Sequence, residues 1–356
     1  MSVAKPHVVI ACNPTVRENY VTVPDLARLE QFATWEWCEL GVDSGNWGPP
    51  PEDPAAAARL KDALANAAGL LVCHGAPRVT AEILEAAPQL RIIGELEGDR
   101  FAGRIDIEAA NARGVRVVDT TNGSSYPVSE WALAMVLIAL RNAGEQFRHL
   151  IGKEVYQRPQ TDLGYIRGEL TGKKVGLIGC GIIGRRFLQL LAPFHCDVRV
   201  YDPYIPREVA DIFGFLQTNL DFVMSDSDVI VCLAPITPRT RRMIGKRELD
   251  LIQPGAALVN VSRGAIIDPD ALIERLARRD ITGAFDVFDP EPIPADSPIR
   301  DLPNVFLTPH IAGVVAAGGP RFFTLMVDEL DRFFHGHETR YDLGERALAN
   351  RRGLPR

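Results

Sequence analysis

The chain has no apolar stretch approaching the roughly 18 residues that a membrane span needs, and its start carries no apolar core behind a basic cluster. These absences predict a soluble, cytoplasmic protein with no membrane partner. Basic residues are in the minority, 39 Lys and Arg against 46 Asp and Glu for a net charge of −7. A phosphate-tracking surface is therefore not expected, nor is nucleic acid as a partner. The six cysteines form no Cys-x-x-Cys pair and several lie in apolar runs, so they read as buried free thiols. No His-x-x-x-His or mixed Cys/His spacing offers a metal site, and His335 Gly336 His337 reads as a helix end. Trp35, Trp37, Trp47 and Trp131 lack the spacing of a base-stacking platform and read as packing residues. The cations Arg346, Arg351, Arg352 and Arg356 lie in a polar tail that reads as a solvated end.

What remains is a chain of 356 residues, 46% hydrophobic, enough for about two domains with separate cores. Short apolar runs (7–11, 35–38, 70–73, 90–93, 115–118) alternate with helical patterns, which predicts a parallel α/β sheet. The Gly- and Pro-rich stretch 41–54 reads as a surface loop. After the polar run 120–125, residues 127–141 predict a long apolar helix with Pro127 and Glu130 near its start, at a domain crossing. Further strands are expected at 229–233, 257–261, 282–285 and 305–307. The spacing of Phe322, Leu325, Met326, Glu329, Leu330 and Phe333 predicts an amphipathic helix over 321–335 that folds back on the first lobe.

The most informative segment is 175–184, an apolar strand ending in Gly179 Cys180 Gly181 Ile182 Ile183 Gly184, with Asp202 about 20 residues further along. In such a fingerprint Gly179 allows the tight turn, Gly181 lets backbone approach a pyrophosphate, and Gly184 lets the following helix pack close to the sheet. Asp202, at the end of the strand 198–201, is then the acceptor for the adenosine ribose hydroxyls. A carboxylate there repels a 2′-phosphate, and Pro203 and Tyr204 bring no cation, so NAD is expected rather than NADP.

Three polar residues stand at the ends of predicted strands, the edge where α/β sheets bind ligands: Arg263, Glu291 and His310. A histidine can give a proton to a carbonyl oxygen as hydride reaches its carbon, a carboxylate behind the ring orients it, and an arginine clamps a carboxylate. Each alone has a plainer explanation: a surface ion pair for the arginine, a turn residue for Glu291 between prolines, a cap for His310.

Taken with their neighbours, however, these residues resemble three successive signatures of the D-isomer-specific 2-hydroxyacid dehydrogenases: 260–268 (NVSRGAIID), 286–292 (DVFDPEP) and 308–313 (TPHIAG). The likeness runs from about Leu70 to Gly336 and is strongest over 174–313. It implies an α/β fold of two lobes, a Rossmann dinucleotide-binding domain (123–310) inserted in a flavodoxin-like substrate domain (1–122 with 311–356). It implies Arg263 as the substrate-binding arginine, Glu291 as the carboxylate partner and His310 as the acid/base. Ile182, Ile183, Ala234, Pro235, Thr240, Val261, Ser262, Asp286 and Gly313 would join the fingerprint residues around the dinucleotide, with Asp286 facing the nicotinamide amide. The helix 127–141 would lie at a twofold interface, making a homodimer.

The chain departs from the family pattern after Gly94, where the loop presenting backbone N–H groups to the substrate carboxylate is long and acid-rich: Glu95 Leu96 Glu97 Gly98 Asp99 Arg100 Phe101 Ala102 Gly103 Arg104. Acids beside an anionic substrate must turn outward or pair with Arg100 or Arg104. Gly98, and His74 and Gly75 in a second loop (74–78), are the expected substrate contacts, although His74 reads equally as a core-edge histidine. The function expected is NAD-dependent interconversion of a D-2-hydroxy acid and its 2-oxo acid. The alternatives are an NAD(H)-sensing protein or co-repressor of the same fold, or oxidation of formate or phosphite.

Overall fold

The computed structural model of the chain describes residues 4–40, 50–98 and 102–353. Most of the loop expected at 41–54, together with Trp47, Asp99, Arg100, Phe101, Arg356 and the side chains of Arg346 and Arg351, lies outside the described residues. The chain divides into two compact units: one runs to Ser124 and resumes at Val315, the other is Ser125–Val314.

The first unit is built on a five-stranded parallel sheet of β1 (His7–Cys12), β2 (Thr34–Glu39), β3 (Gly69–Val72), β4 (Ile92–Glu95) and β5 (Arg116–Asp119), in the order β2-β1-β3-β4-β5. A parallel sheet covered on both faces requires strands apolar on both sides. Val8, Val9, Ile10 and Ala11 of β1 meet that requirement with no exposed surface at all. Alternate residues serve opposite cores: Val9, Leu70, Val72 and Ile93 pack with Leu60, Leu64 and Ile83, while Val8, Ile10, Leu71 and Ile92 pack with Phe322, Phe323, Met326 and Leu330. The latter group belongs to the helix Gly318–Phe334, so the C-terminal segment does return to the first sheet. Each fully buried Phe or Leu there contributes roughly 1.5–3 kcal/mol. Glu329 of that helix falls at the same spacing as its apolar residues. It is fully buried, and its carboxylate accepts the backbone N–H groups of Arg340 and Tyr341 at 2.8 and 3.0 Å, tying the chain after the helix to its side.

The second unit carries a seven-stranded parallel sheet: β6 (Lys174–Ile178), β7 (Asp197–Tyr201), β8 (Leu216–Gln217), β9 (Val229–Cys232), β10 (Ala257–Asn260), β11 (Thr282–Phe285) and β12 (Val305–Leu307), in the order β12-β11-β10-β9-β6-β7-β8. The chain steps outward from β6 to β8, then returns to lay β9 on the other side of β6 and steps outward again to β12. The order therefore reverses between β6 and β9, the switch point at which such sheets open a crevice beyond their carboxyl ends. The helix Ser125–Leu140 packs on this sheet and on the helix Ile182–Leu191, burying Ala132, Met135, Val136 and Ala139. That buries one face of the helix in its own unit, while Trp131, Leu133 and Ile138 stay half-buried and Leu137 exposed. Further exposed apolar side chains lie on the next helix, Ala143–Ile151, at Phe147, Leu150 and Ile151.

Candidate active site

Every site residue expected in the second unit lies just past the carboxyl end of a strand of one sheet, apart from those in the first turn of the helix after β6 and in the turn after β9. Leaving β6, Gly179 takes φ +89°, and a Cβ on it would come within 2.6 Å of Ala234 Cα at the exit of β9. Only glycine meets both demands. Around a Cβ placed on Gly181 there is nothing within 4 Å, and Gly181 is the N-cap of the helix Ile182–Leu191, whose first turn receives no side-chain cap. An open backbone surface and uncapped N–H groups at a helix N-terminus fit a pyrophosphate. Ile182 and Ile183 form that first turn, and Gly184 packs against the Gly179 carbonyl. Asp202, at the end of β7, accepts the N–H of Cys180 through Oδ2 at 2.9 Å and that of Tyr204 through Oδ1 at 2.8 Å. The carboxylate is thereby fixed beside the loop while each oxygen keeps a lone pair for a ribose hydroxyl. Beyond β9, Thr240 donates to the Pro235 carbonyl at 2.7 Å and closes the turn that carries Ala234 and Pro235.

At the far side of the switch point, β10 ends at Asn260, which is buried and organises the next turn. Its Oδ1 accepts from the Ser262 N–H and hydroxyl, both at 3.0 Å, and its Nδ2 donates to the Arg263 carbonyl at 3.0 Å. Val261, before Ser262, is buried. Burial pushes the Arg263 guanidinium below its ordinary value, and the Glu291 charge offsets part of that shift. A Cβ on Gly264 would lie 2.0 Å from the Phe288 carbonyl carbon and oxygen, so the Arg263 turn and the segment leading to Glu291 touch backbone to backbone.

His310 follows β12 with φ +53°, a left-handed conformation uncommon outside glycine. Its ring Nδ1 lies 2.7 Å from Glu291 Oε1. A carboxylate only accepts, so Nδ1 carries the hydrogen and Nε2 is the ring nitrogen that gains or loses a proton. The conformation is held by Asp286, which has no exposed surface. The Asp286 carbonyl accepts the His310 N–H at 2.8 Å, and its carboxylate accepts from Thr308 Oγ1 at 2.5 Å and from the Ile311 and Ala312 N–H groups at 2.9 Å each. Gly313 ends this turn, half-buried. Asp286 was expected only as a neighbour of the dinucleotide. Its hold on the histidine turn, and the roles of Asn260 and Thr308, carry no sequence signal beyond the motif itself.

In the first unit the acid-rich loop is organised from within. Glu95, at the end of β4, is fully buried and bonded to Arg104, whose Nη2 also donates to His74 Nδ1 at 2.8 Å. Arginine cannot accept, so His74 Nδ1 holds a lone pair and its Nε2–H faces Glu97 Oε2 at 3.0 Å, which also accepts from Tyr20 at 2.6 Å. Burial lifts the Glu95 carboxyl to about 7 despite the neighbouring guanidinium, with Asp119 adding to the rise. For Glu97, burial is outweighed by the bonds from His74 and Tyr20, and its carboxyl sits below its ordinary value. The expected pairing with Arg104 is thus made by Glu95, and Glu97 is met by a different pair of side chains. Gly98 donates its N–H to Thr121 Oγ1 at 2.8 Å, and Gly75 turns against Asn13 at the end of β1. Among the described residues no group of three or more His, Cys, Asp or Glu side chains is arranged to hold a metal ion, and no helix is long and apolar enough to cross a membrane.

Residues 133–312 match the family model described as D-isomer specific 2-hydroxyacid dehydrogenase, NAD binding domain. The chain is 34% identical to a D-3-phosphoglycerate dehydrogenase of Methanocaldococcus jannaschii over 281 residues, 78% of this chain and 51% of that protein, so it spans about half that relative's length. It is 30% identical to a glyoxylate reductase of Thermofilum pendens over 298 residues, 83% of this chain and 85% of that one. Among solved structures, a phosphoglycerate oxidoreductase from Rhizobium etli superposes with a TM-score of 0.78 at 23% identity, covering 97% of this chain and all of that one, which is a likeness of fold.

Proposed function

Because the chain belongs to the D-isomer specific 2-hydroxyacid dehydrogenase family, we propose that it interconverts a D-2-hydroxy acid and its 2-oxo acid with NAD as the hydride carrier. The observation that carries this reading is the His310–Glu291 pair at 2.7 Å, on the same sheet edge as Arg263 and the glycine loop. NAD, when bound, takes or gives the hydride. His310, with Nδ1–H held by Glu291, donates a proton from Nε2 to the carbonyl oxygen during reduction and takes it back during oxidation. Glu291 supports the ring while it is cationic. Arg263 holds the substrate carboxylate and fixes the carbonyl carbon for attack. Cofactor binding is assigned to Ser125–Val314, and the substrate contacts of the first unit to His74, Gly75 and Gly98.

The test is NADH consumption with a panel of 2-oxo acids that includes glyoxylate and hydroxypyruvate, with formate and phosphite offered to NAD. Turnover of at least one 2-oxo acid is expected, and Arg263→Ala should raise its KM by about tenfold or more, as befits a lost carboxylate clamp. Tight NADH binding with no turnover of any acid would instead mark a sensor.

We infer further that the protein is a homodimer and resides in the cytoplasm. The first point is supported by the exposed Phe147, Leu150 and Ile151, three large apolar side chains on one helix. The second is supported by the cysteines, all free. Light scattering at micromolar concentration should give twice the chain mass, and Leu150→Glu with Ile151→Glu should halve it; a wild-type monomer would overturn the assignment.

A further inference from the structure

The helix that starts at the glycine loop carries its charges the wrong way round. Its first turn holds no acid, and the residues that follow Ile182, Ile183 and Gly184 are Arg185 and Arg186. A cation close to a helix N-terminus opposes the macrodipole and destabilises the helix start. Helical side chains lean toward the N-terminus, which carries Arg185 further in the unfavourable direction. Its Nε donates to the Gly181 carbonyl at 3.3 Å, so the guanidinium lies back over the loop. Among the described residues it pairs with no carboxylate, and Asp202, beside the loop, accepts instead from the Cys180 and Tyr204 amides. Its charge is nonetheless felt inside the loop. The Cys180 thiol, pushed up to about 12 by burial and by Asp202, is drawn part of the way back by Arg185.

Arg186 is accounted for differently. Its guanidinium sits 4.6 Å from the centre of the Tyr126 ring and donates to Gln189 at 3.1 Å, which turns it away from the loop. The loop itself contains Gly, Cys, Gly, Ile, Ile and Gly and brings no charge of its own. A pyrophosphate set there would meet backbone N–H groups and a neighbouring carboxylate, with the Arg185 guanidinium beside the Gly181 carbonyl. A local rule broken without local compensation is the mark of a functional group.

We propose that Arg185 is a cation of the dinucleotide site, neutralising the pyrophosphate that the uncharged loop cradles; the proposal rests on the reading of this unit as an NAD site. The ligand class is any nucleotide with a diphosphate bridge, and adenosine alone should not sense the residue.

Binding to the full chain tests it, with NADH followed by fluorescence and ADP-ribose and adenosine measured by displacement of NADH. Arg185→Gln should weaken NADH and ADP-ribose about tenfold, the scale of one charge-assisted hydrogen bond, and leave adenosine unchanged. Arg185→Lys should recover most of the loss, and Arg186→Gln should leave all three affinities alone. The ligand-free Arg185→Gln protein should melt no lower than wild type, because an unfavourable charge has been removed from the helix start. Unchanged ADP-ribose affinity in Arg185→Gln, or an equal loss for adenosine, would overturn the proposal. Failure of the wild-type protein to bind NADH would overturn the NAD reading and the role of Arg185 with it.

Discussion

Replacing His310 by Gln lowers kcat for 2-oxo acid reduction by about 10²–10⁴-fold, the usual worth of a positioned general acid. NADH affinity, measured by fluorescence titration, stays within about twofold, because the loop at Gly179 and the acid at Asp202 are untouched. The expectation follows from the geometry of the pair. With Nδ1–H committed to Glu291 at 2.7 Å, the ring has one remaining nitrogen to offer, and glutamine has no group that can carry the proton. Glu291→Gln is the informative companion. An amide oxygen can still accept from Nδ1–H, so orientation survives and only the negative charge behind the ring is lost. A kcat reduced by about tenfold with KM little changed is the expected signature of that lost charge. A His310→Gln protein that turns over at the wild-type rate would remove the histidine from the mechanism.

The second large effect is expected at Asp286, through folding as well as turnover. Asp286→Ala removes the acceptor for the Thr308 hydroxyl and for the Ile311 and Ala312 N–H groups, in a place without water-exposed surface. Stranded buried donors cost about 1–3 kcal/mol each before relaxation. Allowing for that relaxation, a loss of about 3 kcal/mol lowers the melting temperature of a unit of this size by roughly 6–12 °C. Turnover should fall with it even well below the melting point, because the left-handed turn at His310 depends on the same residue. Asp286→Asn keeps one acceptor oxygen but turns an amide N–H₂ toward an N–H, so it should fall between alanine and wild type. Calorimetry beside an NADH assay checks both halves. A variant as stable and as active as the parent would show that the turn is held by other means.

These two sites differ in how far they can be read from sequence. The strands ending at Ile178, Asn260, Phe285 and Leu307 are short apolar runs cut off by glycine or a polar residue, and a doubly covered parallel sheet writes that pattern plainly. Helix periodicity likewise exposes the return of Gly318–Phe334 to the first sheet and puts Glu329 among its apolar positions, yet it does not say what a carboxylate meets there. A buried carboxylate bonded to two amides eleven and twelve residues later leaves no periodic trace. The acid-rich loop misleads for a related reason. In one dimension Glu95 and Glu97 are two neighbouring charges, but they lie in different surroundings, one against Arg104 and the other against His74 and Tyr20. The apolar helix Ser125–Leu140 shows that hydrophobicity reports burial without saying against what. The same run of residues serves a core or an interface equally well, and here the sheet of its own unit takes one face of it.

The contact of Gly264 with the Phe288 carbonyl has a consequence for how this protein can diverge. The spacing between the guanidinium and the carboxylate is set by two stretches of main chain pressed together, so neither stretch can lengthen or acquire a side chain there without disturbing the other. Selection for a new acid has little room at that junction, and drift in preference must accumulate in parts of the chain that tolerate insertion.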